Sequence, residues 1–180
     1  SQKIHHGAVD CVALCSALAS ILCPEGVRVR KQRSMTIAGC WLRQSMDSNY
    51  DPVMSMLRDH LDDEGSIDIR PLPEVPSPAT GMIPGLPERM LKRLSKGWGG
   101  MDVDERSSAI SELALPAMRE DGLSTMRLEE LMWHRAMIPG VDADIASQLH
   151  LSGIDWPETI DEARVHASSI ADLLIKNGHL

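Results

Sequence analysis

The residue types best suited to metal binding lie near the start of the chain, where His5 and His6 precede Cys11 and Cys15. Thiolate and imidazole are ligands that zinc prefers, and a structural zinc ion takes four ligands in a tetrahedron. The two cysteines lie one helical turn apart, but the spacing of the four residues matches no common zinc module, and Cys15 lies within an apolar run. We therefore predict no cofactor and expect the two histidines to be exposed near a frayed terminus. Zinc binding is the alternative.

Acidic residues surround His60, which follows Asp59 and precedes Asp62-Asp63-Glu64. Divalent-metal binding requires carboxylates that converge on one point. Consecutive residues of a helix point around its axis instead, so the sequence predicts a solvated acidic helix end. The chain also lacks a phosphate-binding glycine loop, a nucleophile elbow, a His-Glu-x-x-His motif and a Cys-x-x-Cys pair. These features predict a protein that is not an enzyme.

Positive charge is concentrated in two short segments. The first, Arg28 to Arg33, follows a turn, and the second lies on one face of a predicted helix. In the ordinary interpretation each is a solvated face. In the functional interpretation they bind an anionic surface, because a cation beside charged lipid contributes about 1 kcal/mol and the phosphates of a ribonucleoprotein or RNA backbone attract cations in a salt-dependent way. The predicted anion-binding residues are Arg28, Arg30, Lys31, Arg33, Arg89, Lys92, Arg93 and Lys96.

The formal charge of −8 is unevenly distributed along the chain. Residues 1–70 carry eight Lys or Arg against nine Asp or Glu, residues 71–100 four against two, and residues 101–180 six against fifteen. The acidic C-terminal part disfavours its own contact with nucleic acid or anionic lipid, which leaves the first hundred residues as candidates. The asymmetry also favours head-to-tail contact between copies, in which the basic segments of one molecule meet the acidic part of the next.

The composition favours helices. There is no Phe and one Tyr, whereas Met contributes eleven residues. Sheets are enriched in aromatic and β-branched residues, so we predict an all-α fold. No apolar run reaches the ~18–20 residues that a membrane-spanning helix needs. The four cysteines are confined to the first quarter of the chain, which is not the pattern of a secreted disulfide scaffold and predicts a reducing, intracellular compartment.

A Pro-rich segment is the best candidate for a domain boundary. Residues 71–87 contain six prolines and two glycines, so no helix crosses them. We predict an N-terminal helical lobe at 1–70, a Pro-rich linker at 71–87 and an acidic C-terminal helical lobe at 88–180. Two forms of the linker stay open: a semi-rigid polyproline-like connection, or an ordered surface connection packed by Leu72, Val75, Met82 and Ile83.

The helix pattern is clearest at three places. An apolar run at about 8–23 predicts a buried central helix. Asp51-Pro52 predicts the start of a helix that ends at Gly65, after a helix at about 34–47. The second lobe contains about five helices, and the last has a narrow apolar seam. That seam is expected to pack within the molecule or, alternatively, against another copy, and it consists of Ile160, Ala163, Ala167, Ile170 and Leu174.

The small-residue stretch Ala17-Leu18-Ala19-Ser20, followed by the Arg28-to-Arg33 cluster and by a second helical lobe, resembles the helical matrix proteins of orthomyxoviruses. That resemblance implies a two-lobed, Met-rich, self-polymerising protein that contacts the inner face of an envelope through basic surfaces.

From these features we predict a structural or assembly protein that associates with itself and contacts an anionic membrane or a ribonucleoprotein. It would lie at the inner face of a membrane, or inside a virion if it is viral. The alternative is a helical regulatory or adaptor module that binds a partner protein through Met-rich grooves without polymerising.

Overall fold

The computed structural model describes residues 11–23, 27–42, 52–121 and 123–177, and the side chains of residues 27–28, 41–42 and 52–54 fall outside that description. The predictions for His5 and His6, for the cap at Asp51 and for a helix end at residues 43–47 therefore lie outside the described residues.

Within these ranges the chain forms eight α-helices and one small sheet, which confirms a mostly helical fold. In chain order the elements are α1 (Cys11–Leu22), α2 (Val27–Leu42), α3 (Pro52–Asp63), β1 (Asp68–Arg70), α4 (Glu88–Gly97), α5 (Val103–Ala114), α6 (Thr125–Trp133), β2 (Arg135–Met137), α7 (Ile145–Ile154) and α8 (Ile160–Asn177). Five of these helices follow the Pro-rich segment, as the sequence predicts.

Several helix ends follow from local sequence. The Asp102 carboxylate accepts a hydrogen bond from the backbone N–H of Glu105 at 2.9 Å, and the Glu105 carboxylate accepts one from the backbone N–H of Asp102 at 3.0 Å. This capping box starts α5. The Ser124 side chain caps α6, and the Asp144 side chain caps α7.

A two-stranded antiparallel sheet is the feature that an all-α prediction omits. The paired residues are Asp68 with Met137, Ile69 with Ala136 and Arg70 with Arg135. The strands have three residues each and lie more than sixty residues apart in the chain, so neither has the length or the alternation that marks a strand in a sequence. The sheet connects the chain segment after α3 to the segment between α6 and α7.

The core consists of two clusters of buried residues. One joins the Pro-rich segment to α4, α5 and α6 and contains Leu72, Ile83, Leu91, Leu94, Trp98, Ile110, Leu113, Ala117, Leu128, Leu131, Met132 and Ala146. The other joins α2 and α3 to β2, α7 and α8 and contains Ile37, Ala38, Leu61, Ile67, Ala136, Ile138, Ile145, Ile170 and Leu174. The second cluster therefore combines residues from before and after the Pro-rich segment.

The Pro-rich segment packs against the rest of the molecule. Leu72, Val75 and Ile83 are buried and Met82 is half-buried, which favours the ordered connection over the polyproline-like one. Because the second core cluster spans the segment, the packing gives no support to a division between lobes at 71–87.

The prediction that the first apolar helix is buried is wrong. Leu14 and Leu18 of α1 are 57% and 53% exposed, and Ile21 and Leu22 are 76% and 70% exposed. The helix packs against α2 through its opposite side, where Ser16 is buried. A run that is apolar all round does not indicate which of its faces a neighbour covers.

Close contact of α1 with α2 depends on a glycine. A Cβ atom added at Gly39 would lie 2.8 Å from Cγ1 of Val12, inside van der Waals contact. Gly39 therefore lets the two helices approach closely.

The apolar seam of the last helix is only partly covered. In α8, Ile170 and Leu174 are buried and Ala163 and Ala167 are half-buried, whereas Ile160 is 73% exposed. The C-terminal half of the seam therefore packs within the molecule, as expected.

Candidate functional site

The second basic segment forms an exposed cationic face on α4. The buried residues Leu91 and Leu94 hold this helix against the first core cluster. The opposite face carries four exposed cations, namely Arg89, Lys92, Arg93 and Lys96. Within the part of the chain that the structure describes, none of these four forms an ion pair or a hydrogen bond. Their charges are therefore available to an external anion.

The first basic segment lies within a helix, because α2 begins at Val27 and not at about residue 34, where the sequence predicts its start. Arg30 and Lys31 are exposed on it. The side chain of Arg28 lies outside the described residues. The structure thus supports the predicted exposure for two of the four cations of this segment.

The structure does not support the prediction that Arg33 binds an external anion. Its side chain is 6% exposed, forms an ion pair with Glu64 at the end of α3, and donates a hydrogen bond to the carbonyl oxygen of Cys23 at 3.2 Å. It connects the end of α1 to α2 and to the segment after α3. Arg33 therefore stabilises the fold, and its charge does not face an external surface.

An apolar surface lies on the exposed side of α1. We call it the α1 face, and it consists of Leu14, Leu18, Ile21 and Leu22. The described α1 contains no charged residue, so no charge interrupts this face. Because α1 packs on α2, the α1 face and the cations of α2 belong to one helix pair. Cys11, Cys15 and Cys23 are also exposed here, whereas Cys40 of α2 is buried.

A cavity of about 790 Å³ lies between the Pro-rich segment and α4. Its wall is formed by residues 72–86 together with Glu88, Leu91, Lys92, Ser95, Lys96 and Arg135. Two of the four cations of α4, Lys92 and Lys96, line this cavity, and the other two, Arg89 and Arg93, do not. No motif in the sequence predicts a cavity here.

Arg135 in β2 is the buried charge of this region. Its Nε and Nη2 atoms donate to Oδ1 of Asp144 at 3.0 and 2.6 Å, and Nη2 also donates to Oγ of Ser147 at 2.9 Å. Neither side chain of the ion pair is exposed. Burial lowers the pKa of Arg135 and the carboxylate of Asp144 opposes that shift, so the guanidinium stays charged. The available sequence signal was a lone arginine within the apolar stretch from Met132 to Ile138.

A second ion-pair cluster joins α3 to α6. Arg58 forms ion pairs with Glu130 and, at 3.0 Å, with Asp59. Burial raises the pKa of Glu130, and the nearby Arg58 only partly opposes this rise. Burial and the charge of Arg58 together lower the pKa of His134. Arg58, Glu130 and His134 are half-buried and fix the contact between two helices, so we assign them a structural role.

No described residues form a metal centre. A search of these residues finds no group of three or more His, Cys, Asp or Glu side chains placed to hold an ion. The carboxylates near His60 are used elsewhere, since Glu64 pairs with Arg33 and an Asp62 oxygen accepts a hydrogen bond from the backbone N–H of Ile69 at 3.0 Å. Among the described helices, none is long and apolar enough to cross a membrane.

Known proteins give no indication of the function of this chain. No protein-family model, no curated protein and no solved structure matches this chain.

Proposed function

We propose that this protein is a non-enzymatic, self-associating structural protein that binds the surface of an anionic membrane. The observation that carries the proposal is the α1 face, where four large apolar side chains are more than half exposed on a helix that packs against α2, which itself carries the exposed cations Arg30 and Lys31. Large exposed apolar groups of this kind mark contact surfaces for membranes or for proteins.

The physical terms favour a membrane that carries negative charge. Burying a Leu or Ile side chain fully contributes about 1.5–3 kcal/mol, so insertion of the α1 face supplies several kcal/mol. Each cation near anionic lipid adds about 1 kcal/mol. Stable attachment of a peripheral protein generally needs two such contributions together. In this proposal Arg30 and Lys31 of the neighbouring helix α2 supply the second contribution, and the cationic face of α4 is a further contact.

Self-association is the other half of the proposal. A second group of exposed apolar residues lies on the acidic C-terminal part, namely Leu151, Ile154, Ile160, Val165 and Leu173. Residues 101–180 carry fifteen Asp or Glu against six Lys or Arg, which complements the cations of α2 and α4 in a neighbouring copy. Repeated head-to-tail contact of this type produces an open array. Such an array beneath a membrane is the arrangement that the resemblance to orthomyxovirus matrix proteins implies.

Co-sedimentation with phosphatidylserine vesicles tests the charge contribution. We expect binding that falls as salt is raised, because the attraction between exposed cations and anionic lipid is screened. The combined charge reversals Arg30→Glu, Lys31→Glu, Arg89→Glu and Lys92→Glu should reduce binding at least about tenfold, since each removed cation near the surface contributes about 1 kcal/mol. The matched control is Lys176→Glu, which reverses an exposed cation of α8 outside these segments.

Two results would reject the proposal. Binding that is indifferent to the four reversals would show that the basic segments do not contact lipid. Absence of vesicle binding, combined with formation of a stable complex with another protein through the α1 face, would instead support the adaptor alternative.

A further inference from the structure

The cavity between the Pro-rich segment and α4 has the size and lining of a ligand site. Small-molecule sites typically measure about 300–1,000 Å³ and are mostly apolar with a few polar groups, and this cavity measures about 790 Å³. Its apolar lining comes from Leu72, Val75, Met82, Ile83, Leu86 and Leu91. The apolar part of a ligand would therefore find a complementary surface.

The charged groups of the wall differ in how far their hydrogen bonds are satisfied. Arg135 is the one buried charge in the wall, and its Nη1 atom has no hydrogen-bond partner among the described residues. A buried donor without an acceptor is costly, and more so when the donor is charged. Nη2 of Arg135 lies 3.8 Å from Sδ of Met82, which also lines the cavity. An acceptor group that entered next to Met82 would be near this guanidinium.

Two lysines of the wall can bind an anionic acceptor. Lys92 and Lys96 are exposed and make no ion pair within the described ranges. Of the two carboxylates in the wall, Glu74 accepts a hydrogen bond from Nε1 of Trp98 at 2.7 Å and is thus engaged. Glu88 lies in the first turn of α4, where the helix dipole stabilises its charge. Since Arg135 is paired with Asp144, Lys92 and Lys96 are the wall cations that have no ion-pair partner within the described ranges and can approach an anionic head group.

We infer that this cavity binds a single-chain anionic lipid, with its alkyl chain along the apolar wall and its carboxylate or phosphate head group bound by the wall cations Lys92, Lys96 and Arg135. The inference goes beyond the surface contact proposed above and does not depend on it. It concerns one lipid molecule taken up from solution, whereas the proposed function concerns the surface of a bilayer.

Calorimetric titration of the full chain with monomeric dodecanoate and with lauroyl lysophosphatidic acid, each below its micelle concentration, tests the inference. The tighter of the two ligands distinguishes a carboxylate source from a phosphate source. Dodecanol, which has the same chain without the charge, should bind at least about tenfold more weakly, because hydrogen bonds to charged groups are the stronger ones.

Two pairs of substitutions on α4 provide a matched comparison. Lys92→Ala with Lys96→Ala removes the two cations that line the cavity, and Arg89→Ala with Arg93→Ala removes the two that do not. Both pairs change the net charge equally and leave the buried residues of α4 in place. We expect the first pair to weaken dodecanoate binding at least about tenfold and the second to change it less than about twofold. The reason is that only cations that contact the head group form charge-assisted hydrogen bonds with it.

A cavity-filling variant makes the test independent of charge. Ser95 is exposed, lies on α4 and lines the cavity, so Ser95→Trp fills the space without disturbing the core. It should abolish binding with an unchanged urea midpoint. Its binding to phosphatidylserine vesicles should stay at the level of the unsubstituted chain, which separates this inference from the proposed membrane contact.

The inference is overturned if neither ligand binds at concentrations up to its micelle limit, or if Ser95→Trp binds as the unsubstituted chain does. Equal losses in the two double variants would show general electrostatic attraction rather than a site. Dodecanol that binds as tightly as dodecanoate would contradict recognition of the anionic head group.

Discussion

The buried ion pair between Arg135 and Asp144 gives the sharpest test of how this fold is held together. Asp144 has two tasks, since its Oδ1 atom balances the guanidinium of Arg135 and also accepts the backbone N–H of Ser147 at the start of α7. Asp144→Ala removes both. Asp144→Asn retains a side-chain oxygen for the cap and nearly the same volume, but removes the charge.

The expected losses differ in a defined way. Removal of one partner of a buried ion pair costs about 3–5 kcal/mol, because the other charge is left uncompensated. Loss of a helix cap costs about 1 kcal/mol more. Domains of this size have a total free energy of unfolding of about 5–15 kcal/mol, so Asp144→Ala removes a large fraction of it. We expect Asp144→Asn to be about 1 kcal/mol less destabilising than Asp144→Ala.

Urea unfolding followed by Trp fluorescence measures these differences. The double variant Arg135→Met with Asp144→Asn completes a mutant cycle, and its loss should be smaller than the sum of the two single losses, because it leaves no charge unpaired. If the Asp144 variants each lie within about 1 kcal/mol of the unsubstituted chain, or if the single losses add in the double variant, the ion pair does not have the energetic role that its burial indicates.

Three further outcomes follow from other residues. The pKa of His134 is lowered in the folded chain, so its contribution to stability is present above about pH 6.5 and is lost as pH falls below that value. Between pH 7.5 and 5.5, the free energy of unfolding of His134→Gln should therefore fall less than that of the unsubstituted chain, as measured by urea titration at each pH. An equal or larger fall in the variant would contradict this. Asp102→Ala should lower the free energy of unfolding by about 1 kcal/mol through loss of the capping box, and a loss below about 0.3 kcal/mol would contradict that role. A thiol reagent should modify buried Cys40 only on unfolding, whereas mass mapping should find fast labelling at the exposed residues Cys11, Cys15 and Cys23.

Local sequence signals predicted much of the helical framework. Pro52 begins α3 and Gly65, with φ +75°, follows its end, as the start and stop signals indicate. Ser124 caps α6, and α4 ends at Gly97 before the turn that starts with Trp98. These features depend on residues within a few positions of each other, so one segment is sufficient to reveal them.

Features that depend on distant partners were missed. The strand Arg135–Met137 exists because Asp68–Arg70 pairs with it, and three residues carry too little periodicity to show this. Arg33 has the same appearance in the sequence as Arg30, yet Glu64, thirty-one residues away, pairs with it inside the fold. The side of α1 that is covered also depends on where α2 packs.

The candidate site also combines features that local sequence predicts with features that depend on distant partners. The exposure of Arg89, Lys92, Arg93 and Lys96 was predictable, because buried Leu91 and Leu94 lie on the opposite side of the same helix. The cavity was not, because its wall combines the Pro-rich segment with a residue of β2, Arg135, that is remote in the chain. The periodicity of apolar residues predicts which residues are buried, but it does not predict whether a cavity lies between two elements.

Vesicle binding by variants of the α1 face tests the central claim most directly. Ile21→Asp and Val103→Asp place the same charge at positions that are 76% and 80% exposed, one on the α1 face and one at the start of α5. In co-sedimentation with phosphatidylserine vesicles, we expect Ile21→Asp to weaken binding at least about tenfold, because an apolar contact contributing about 1.5–3 kcal/mol is lost, and Val103→Asp to leave binding within about twofold. Equal binding by the two variants, with both folded by circular dichroism, would contradict the proposal that α1 inserts into the membrane surface.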